Sequence, residues 1–210
     1  DEARARLDEL GYEVLVFHAT GSGGKAMEGL VASGFLTGVL DLTTTELADE
    51  LVGGGVLTAG PHRLEAAAKS GTPQVVSVGA LDMVNFGPKA SVPATFSERL
   101  FLVHNPPTIT LMRTTRAEMT ELGTIIASKL AQCVGLAEVF LPLGGVSGID
   151  VDGGPFADPP DADRALFAAI RAGLEGTAVT VHDIPPTAIN DEGFGRRMAD
   201  ALDQLIRTTP

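Results

Sequence analysis

Cysteine is nearly absent. Cys133 is the single one, so no disulfide can form within the chain. Basic residues are scarce, 15 against 27 acidic ones, for a formal net charge of −12. A chain this acidic lacks the basic surface that nucleic acids and anionic membranes require, so neither is expected as a partner. No apolar run approaches the roughly 20 residues of a membrane-spanning helix. Residues 1–11 are charged and helical in pattern, which excludes a signal peptide. The lone thiol points to a reducing compartment, here the cytoplasm. It ends a helical pattern and reads as a buried structural group. Several catalytic signatures are missing too. There is no Walker A loop, no third glycine for G-x-G-x-x-G, no H-E-x-x-H and no complete G-x-S-x-G.

What is present is a rhythm. The 210 residues are 44% hydrophobic, enough for one α/β lobe, residues 1–210, with a sizeable core. Strands are predicted at 13–19, 35–41, 74–78, 138–141 and 178–182. Helices are predicted at 25–33, 44–52, 61–70, 116–133, 161–173 and 192–207. Short apolar strands alternating with helices predict a doubly wound three-layer sandwich with a mainly parallel sheet of about five strands. Thr43-Thr-Thr-Glu46 reads as a capping box, Pro61 as a first helical turn and Gly11 as a helix C-cap. The chain opens without methionine in a helical pattern, which reads as the tail of a helix in a longer polypeptide. Residues 79–110 break the rhythm with four prolines and are expected to form a long inserted loop, serving as a lid, binding loop or oligomer arm.

The strongest functional signal is the run from Val14 to Lys25. A strand pattern enters Thr20-Gly21-Ser22-Gly23-Gly24, and a helical pattern follows. Glycine N–H groups at a helix N-terminus make a site for a phosphate or carboxylate. An ordinary strand-to-helix turn would use the same residues. Ligands of open α/β sheets bind at the carboxyl ends of the strands. The other candidates there are Asp41, Thr43, Thr44, Thr45, Glu46, Asp82, Asn85, Arg113, Gly144 and Gly145. Arg113 is expected to clamp an anion or to pair with a carboxylate. Asp41 and Asp82 are the candidate metal ligands, for magnesium rather than zinc. His18 and His104 are the candidate acid/base groups. Ser147, in the near-elbow Gly145-Val-Ser147-Gly148, is the candidate nucleophile.

Longer motifs carry a resemblance. The runs His18-Ala-Thr-Gly-Ser-Gly-Gly24, Gly38-Val-Leu-Asp-Leu-Thr-Thr-Thr-Glu46, Gly79-Ala-Leu-Asp-Met-Val-Asn-Phe-Gly87, His104-Asn-Pro106, Leu111-Met-Arg-Thr114 and Pro142-Leu-Gly-Gly-Val-Ser147 belong together. They resemble an uncharacterised bacterial and fungal family related to the amino-terminal ATP-binding domain of the tomato mosaic virus resistance protein. The resemblance covers the carboxyl-terminal lobe of that two-lobed domain. It implies a Rossmann-like lobe, ATP with magnesium as cofactor, a partner amino-terminal lobe and a homodimer. The functional expectation is a lobe that binds a nucleotide or another small anionic ligand, of unassigned activity. The alternatives are an oligomerisation or interaction module without its own ligand, using Met83, Val84, Phe86, Phe96 and Phe101, and a hydrolase of a small ester or lactone.

Overall fold

The computed structural model describes residues 1–104, 108–157 and 161–209. Residues 105–107, within the His104-Asn-Pro106 motif and the inserted segment, lie outside the described residues, as do 158–160. The strands are β1 (Val39–Thr43), β2 (Gln74–Gly79), β3 (Met83–Phe86), β4 (Phe101–Val103), β5 (Thr110–Arg113), β6 (Ala137–Pro142) and β7 (Thr180–Ile184). A parallel sheet has the order β1-β2-β6-β7. A separate antiparallel sheet has the order β3-β5-β4.

Period-two alternation divides the parallel sheet into two apolar faces. Val76, Val78, Val139 and Leu141 join the core under α3 (Glu46–Val52), α5 (Arg116–Leu130) and α6 (Asp161–Leu174). Val75 and Phe140 join the core under α1 (Glu2–Glu9) and α7 (Phe194–Thr208). Helices on both faces make a three-layer, Rossmann-like sandwich. Two further helices, α2 (Ser22–Ala32) and α4 (Ala66–Ser70), meet beside β1 around Val31, Val39 and Ala67. The α5–α6 contact is close because Gly123 carries no side chain. A Cβ there would sit 2.7 Å from the Ala169 methyl and 2.6 Å from the Leu166 carbonyl oxygen. Leu122, Ile126, Leu166 and Ile170 are fully buried around it, each contributing about 1.5–3 kcal/mol.

Several expectations need correction. Residues 13–19 form no strand, and Leu15 and Val16 are exposed. The parallel sheet therefore has four strands, not about five. β1 begins at Val39 rather than 35 because the chain first closes α2, with Gly34 N–H on the Val31 carbonyl and Phe35 N–H on the Leu30 carbonyl. The Thr43/Glu46 capping box is absent: α3 is capped at Thr45 without a side-chain bond, and Thr44 Oγ1 donates instead to the Ser77 carbonyl at 3.2 Å. Leu64 holds φ +69°, which breaks the helix predicted from 61 and leaves only α4. The capping box that does form is Thr115 with Glu118, at the start of α5. The inserted segment is not structureless, since β3 and β4 pair with β5 across it. Asp49 of α3 holds this small sheet in place, accepting the Asn85 backbone N–H at 2.8 Å. No helix among the described residues is long and apolar enough to cross a membrane.

Candidate functional site

Two buried ionic clusters lie at the carboxyl end of the parallel sheet, each built on one arginine. The first braces the glycine loop. Gly21 precedes α2 with φ +80°, a conformation that favours glycine. Its N–H donates to Glu46 Oε1 at 2.6 Å, and the Gly24 N–H donates to the same oxygen at 3.2 Å. A Cβ on Gly24 would collide with the Glu46 carboxylate, and one on Gly23 with the His18 carbonyl. Arg63 Nε donates to Glu46 Oε2 at 2.6 Å, Nη2 to Asp41 Oδ1 at 2.7 Å, and Nη1 to Asp41 Oδ2. Arg63 also reaches Glu28 Oε1 at 3.3 Å, while Glu28 accepts the Leu64 and Ala66 N–H groups. Burial disfavours the guanidinium charge, but Asp41 and Glu46 more than offset it and hold its pKa above the usual arginine value.

Two of the four orphan donors at the α2 N-terminus are thus taken by an internal carboxylate. The N–H groups of Ser22 and Gly23 have no acceptor among the described residues. Ser22 and Lys25 are exposed beside them. Thr20 Oγ1 donates to the His18 carbonyl at 3.3 Å and lies 3.5 Å from Ser22 Oγ. A groove of about 1100 Å³ opens from this loop, between residues 12–20 and β1. Val14, Leu36, Leu40 and Ile206 line it, and His18, Thr20, Asp41 and Arg63 stand among its polar walls.

The second cluster surrounds Arg113 at the end of β5. Arg113 Nη2 donates to Asp150 Oδ1 at 3.3 Å and to Asp163 Oδ1 at 2.9 Å, and Nε donates to the Phe156 carbonyl at 3.0 Å. Asp82 Oδ2 accepts from Ser147 Oγ at 2.8 Å, while Asp82 Oδ1 is buried with no partner. Burial pushes the Asp82 carboxyl up to about 6. Burial, then the neighbouring Asp163, raises that of Asp150. Ser147 Oγ also accepts the Ile149 and Asp150 N–H groups, both at 3.2 Å. Its lone pairs are therefore engaged in holding a turn, which leaves little nucleophilic character. This weighs against a serine hydrolase.

The remaining candidates are scattered. Thr43 ends β1, and Thr45 Oγ1 accepts from Asn85 Nδ2 at 3.0 Å. Gly144 N–H bonds the Thr187 carbonyl at 2.9 Å and Gly145 N–H the Pro142 carbonyl at 3.2 Å, so neither offers a donor to a ligand. His104 is exposed beyond β4, where its N–H bonds the Ile109 carbonyl, while His18 lies by the groove. The structure assembles no acid/base pair from them. Arg113 is paired with carboxylates rather than facing an anion. Arg63, unread in the sequence, is the buried cation that braces the glycine loop through Glu46, and its one signal was a basic residue inside a predicted helix of an acidic chain. Asp41 is fully engaged by Arg63 and Asp82 is enclosed. Among the described residues, no group of three or more His, Cys, Asp or Glu side chains is placed to hold a metal ion.

Comparison with known proteins gives the context. Residues 1–206 match the C-terminal domain of the Uncharacterised protein family UPF0261. A UPF0261 protein of Clostridium tetani is 50% identical over 204 residues, covering 97% of this chain and 50% of that protein. One of Mesorhizobium japonicum is 46% identical over 192 residues, covering 91% and 48%. The ToMV resistance protein Tm-1(GCR237) of Solanum lycopersicum is 44% identical over 202 residues, covering 96% and 26%. The chain spans about half the length of the bacterial relatives it matches.

Proposed function

The chain belongs to the UPF0261 family as its C-terminal domain, and we propose that this lobe binds a small anionic ligand, a nucleotide such as ATP, at the glycine loop. The observation that carries the reading is the pair of unengaged N–H groups on Ser22 and Gly23 at the N-terminus of an eleven-residue helix. They point where the helix dipole favours negative charge. Glu46 fixes the inner glycines, and Arg63 offsets its charge, so the buried carboxylate does not repel the ligand outright. Ser22, Thr20 and Lys25 add donors around the same loop. The apolar groove beyond it offers room for the organic body of the ligand. Magnesium would arrive on the phosphates, because Asp41 and Glu46, the carboxylates beside the loop, are both held by Arg63. Catalysis is not part of this reading.

A second reading has its own support. Leu15, Val16 and Phe35 are 46%, 56% and 68% exposed at one side of the molecule, next to the unpaired edge of β1. Exposed apolar groups beside an open sheet edge mark a contact surface. Its occupant in this reading is the remaining half of a full-length relative, or a second copy in a homodimer.

Calorimetric titration with ATP, ADP, AMP and inorganic phosphate separates the two. Saturable nucleotide binding that is lost in Ser22→Asp supports the ligand lobe. Absence of binding at millimolar nucleotide, with a concentration-independent dimer mass, supports the contact module.

A further inference from the structure

Residues 13–19 leave seven consecutive N–H groups without an acceptor among the described residues. Their side chains are not those of a solvated loop. Val14-Leu-Val-Phe17 is an apolar run, and Leu15 and Val16 stand about half exposed. Across the groove, β1 is an edge strand that pairs with β2 on one side only. The Val39 N–H bonds the Pro73 carbonyl toward β2, so by alternation the Leu40 N–H and carbonyl face the open side. The groove of about 1100 Å³ lies between the two, and residues 12–20 and 35–43 line it without a gap. No backbone hydrogen bond crosses it among the described residues. Two stretches of unpaired backbone thus face each other across an apolar slot, and an open edge of this kind templates a further strand.

We propose that the slot receives one extended β-strand from the preceding half of the family protein, bonded to the Leu40 edge of β1 on one side and to residues 14–17 on the other. This deepens the contact-surface reading and rests on it. A seated strand would take the groove from the organic body of a nucleotide. It would leave the N–H groups of Ser22 and Gly23 free, since neither residue lines the groove.

The length of the relatives selects this occupant. The matched region is a C-terminal domain, and it makes up 50% of the Clostridium tetani protein and 48% of the Mesorhizobium japonicum one. In those relatives a comparable length of chain precedes it. The match begins at Asp1, and Asp1 lines the groove together with Ala3 and Leu7. The preceding half of a relative therefore enters beside the slot. A second copy is less suited, because the segments it could offer, its own β1 and residues 12–20, already wall its own groove.

The test is amide hydrogen exchange on the chain alone and on the chain joined at Asp1 to the preceding half of the Clostridium tetani relative. In the chain alone, the amides of Val14 to Phe17 and of Leu40 should exchange as open backbone while those of β2 and β6 stay slow. In the joined protein the same amides should slow by at least about 100-fold. Val16→Pro removes a donor that the chain alone does not use. It should leave the melting temperature of the chain alone unchanged and cancel the protection in the joined protein. Slow exchange in the chain alone at every concentration would overturn the proposal, because residues 13–19 would then close on β1 by themselves. Protection that grows with concentration alongside a dimer mass would overturn it in favour of a second copy. Fast exchange in the joined protein, with both halves shown folded by circular dichroism, would overturn it as well. In that case co-elution of the halves after cleavage at the junction keeps the contact reading, and separate elution removes it with the strand. Should the joined halves misfold, the full-length relative, read at its aligned positions, decides in the same way.

Discussion

Arg63 and Arg113 are each 3% exposed and each meet carboxylates at the same end of the sheet. Their surroundings differ in the backbone. Around Arg63, four N–H groups, those of Gly21, Gly24, Leu64 and Ala66, also point at the carboxylates. The charges there are closed off by hydrogen bonds on every side. Around Arg113, backbone donors are few: Val146 N–H reaches Asp150 Oδ2 only at 3.5 Å, and Asp82 Oδ1 has nothing. The cluster answers by holding protons on its carboxyls. A buried charge is stabilised by the donors that surround it more than by its single counter-ion. The Arg63 cluster is a structural brace under the glycine loop, whereas the Arg113 cluster leaves a buried carboxylate oxygen of Asp82 without a donor.

Removing each cation should give the largest contrast. Arg63→Met strands Asp41 and Glu46 as buried charges and should cost about 3–5 kcal/mol. Arg113→Met should cost less, because its carboxyls already accept protons. Urea unfolding of the two variants measures the difference, and equal losses would break the comparison. Next in size is Glu46→Ala, which frees two loop N–H groups and part of Arg63, for a loss of about 1–3 kcal/mol. Its counterpart Asp82→Asn should fall within about 1 kcal/mol of the parent at neutral pH, since it removes an enclosed charge.

The pH dependence is smaller but has a definite sign. Asp82 titrates near 6 in the folded chain, against an ordinary 3.8. The folded state thus holds this proton more tightly than the unfolded chain. Its contribution to stability is fully present below 3.8 and is lost as pH rises through about 6. Melting temperatures across that window should show this downward component in the parent and not in Asp82→Asn. The smallest effect on stability belongs to Ser22→Asp. An exposed acid at a helix N-terminus should change unfolding by no more than about 0.5 kcal/mol. It should nevertheless abolish nucleotide binding, which separates ligand contact from scaffold.

The layers were legible because apolar periodicity reports burial directly. β2, β6, α5, α6 and α7 fall where alternation and helical spacing put them. The 13–19 segment has the continuous apolar run of a buried strand, Val14-Leu-Val-Phe17, yet pairing depends on a neighbour and not on pattern. Residues 79–110 carry prolines that read as a loop. Two short strands, β3 and β4, are fixed there by Asp49 and by antiparallel pairing with β5, contacts too distant in sequence to be read. Glu46 has the spacing of a capping residue, but its carboxylate turns to Gly21 and Gly24 instead. Arg63 carried almost no signal, since its partners Asp41 and Glu46 lie 22 and 17 residues away. Local chemistry names the glycine loop, and only the fold reveals which of its donors remain open.

Amide resonances of the loop test that division most directly. In a ¹⁵N titration with ADP, the Ser22 and Gly23 amides should shift saturably, while Gly21 and Gly24 hold their positions on Glu46. No movement of Ser22 and Gly23 at millimolar ADP would contradict the account, as would shifts confined to Gly21 and Gly24.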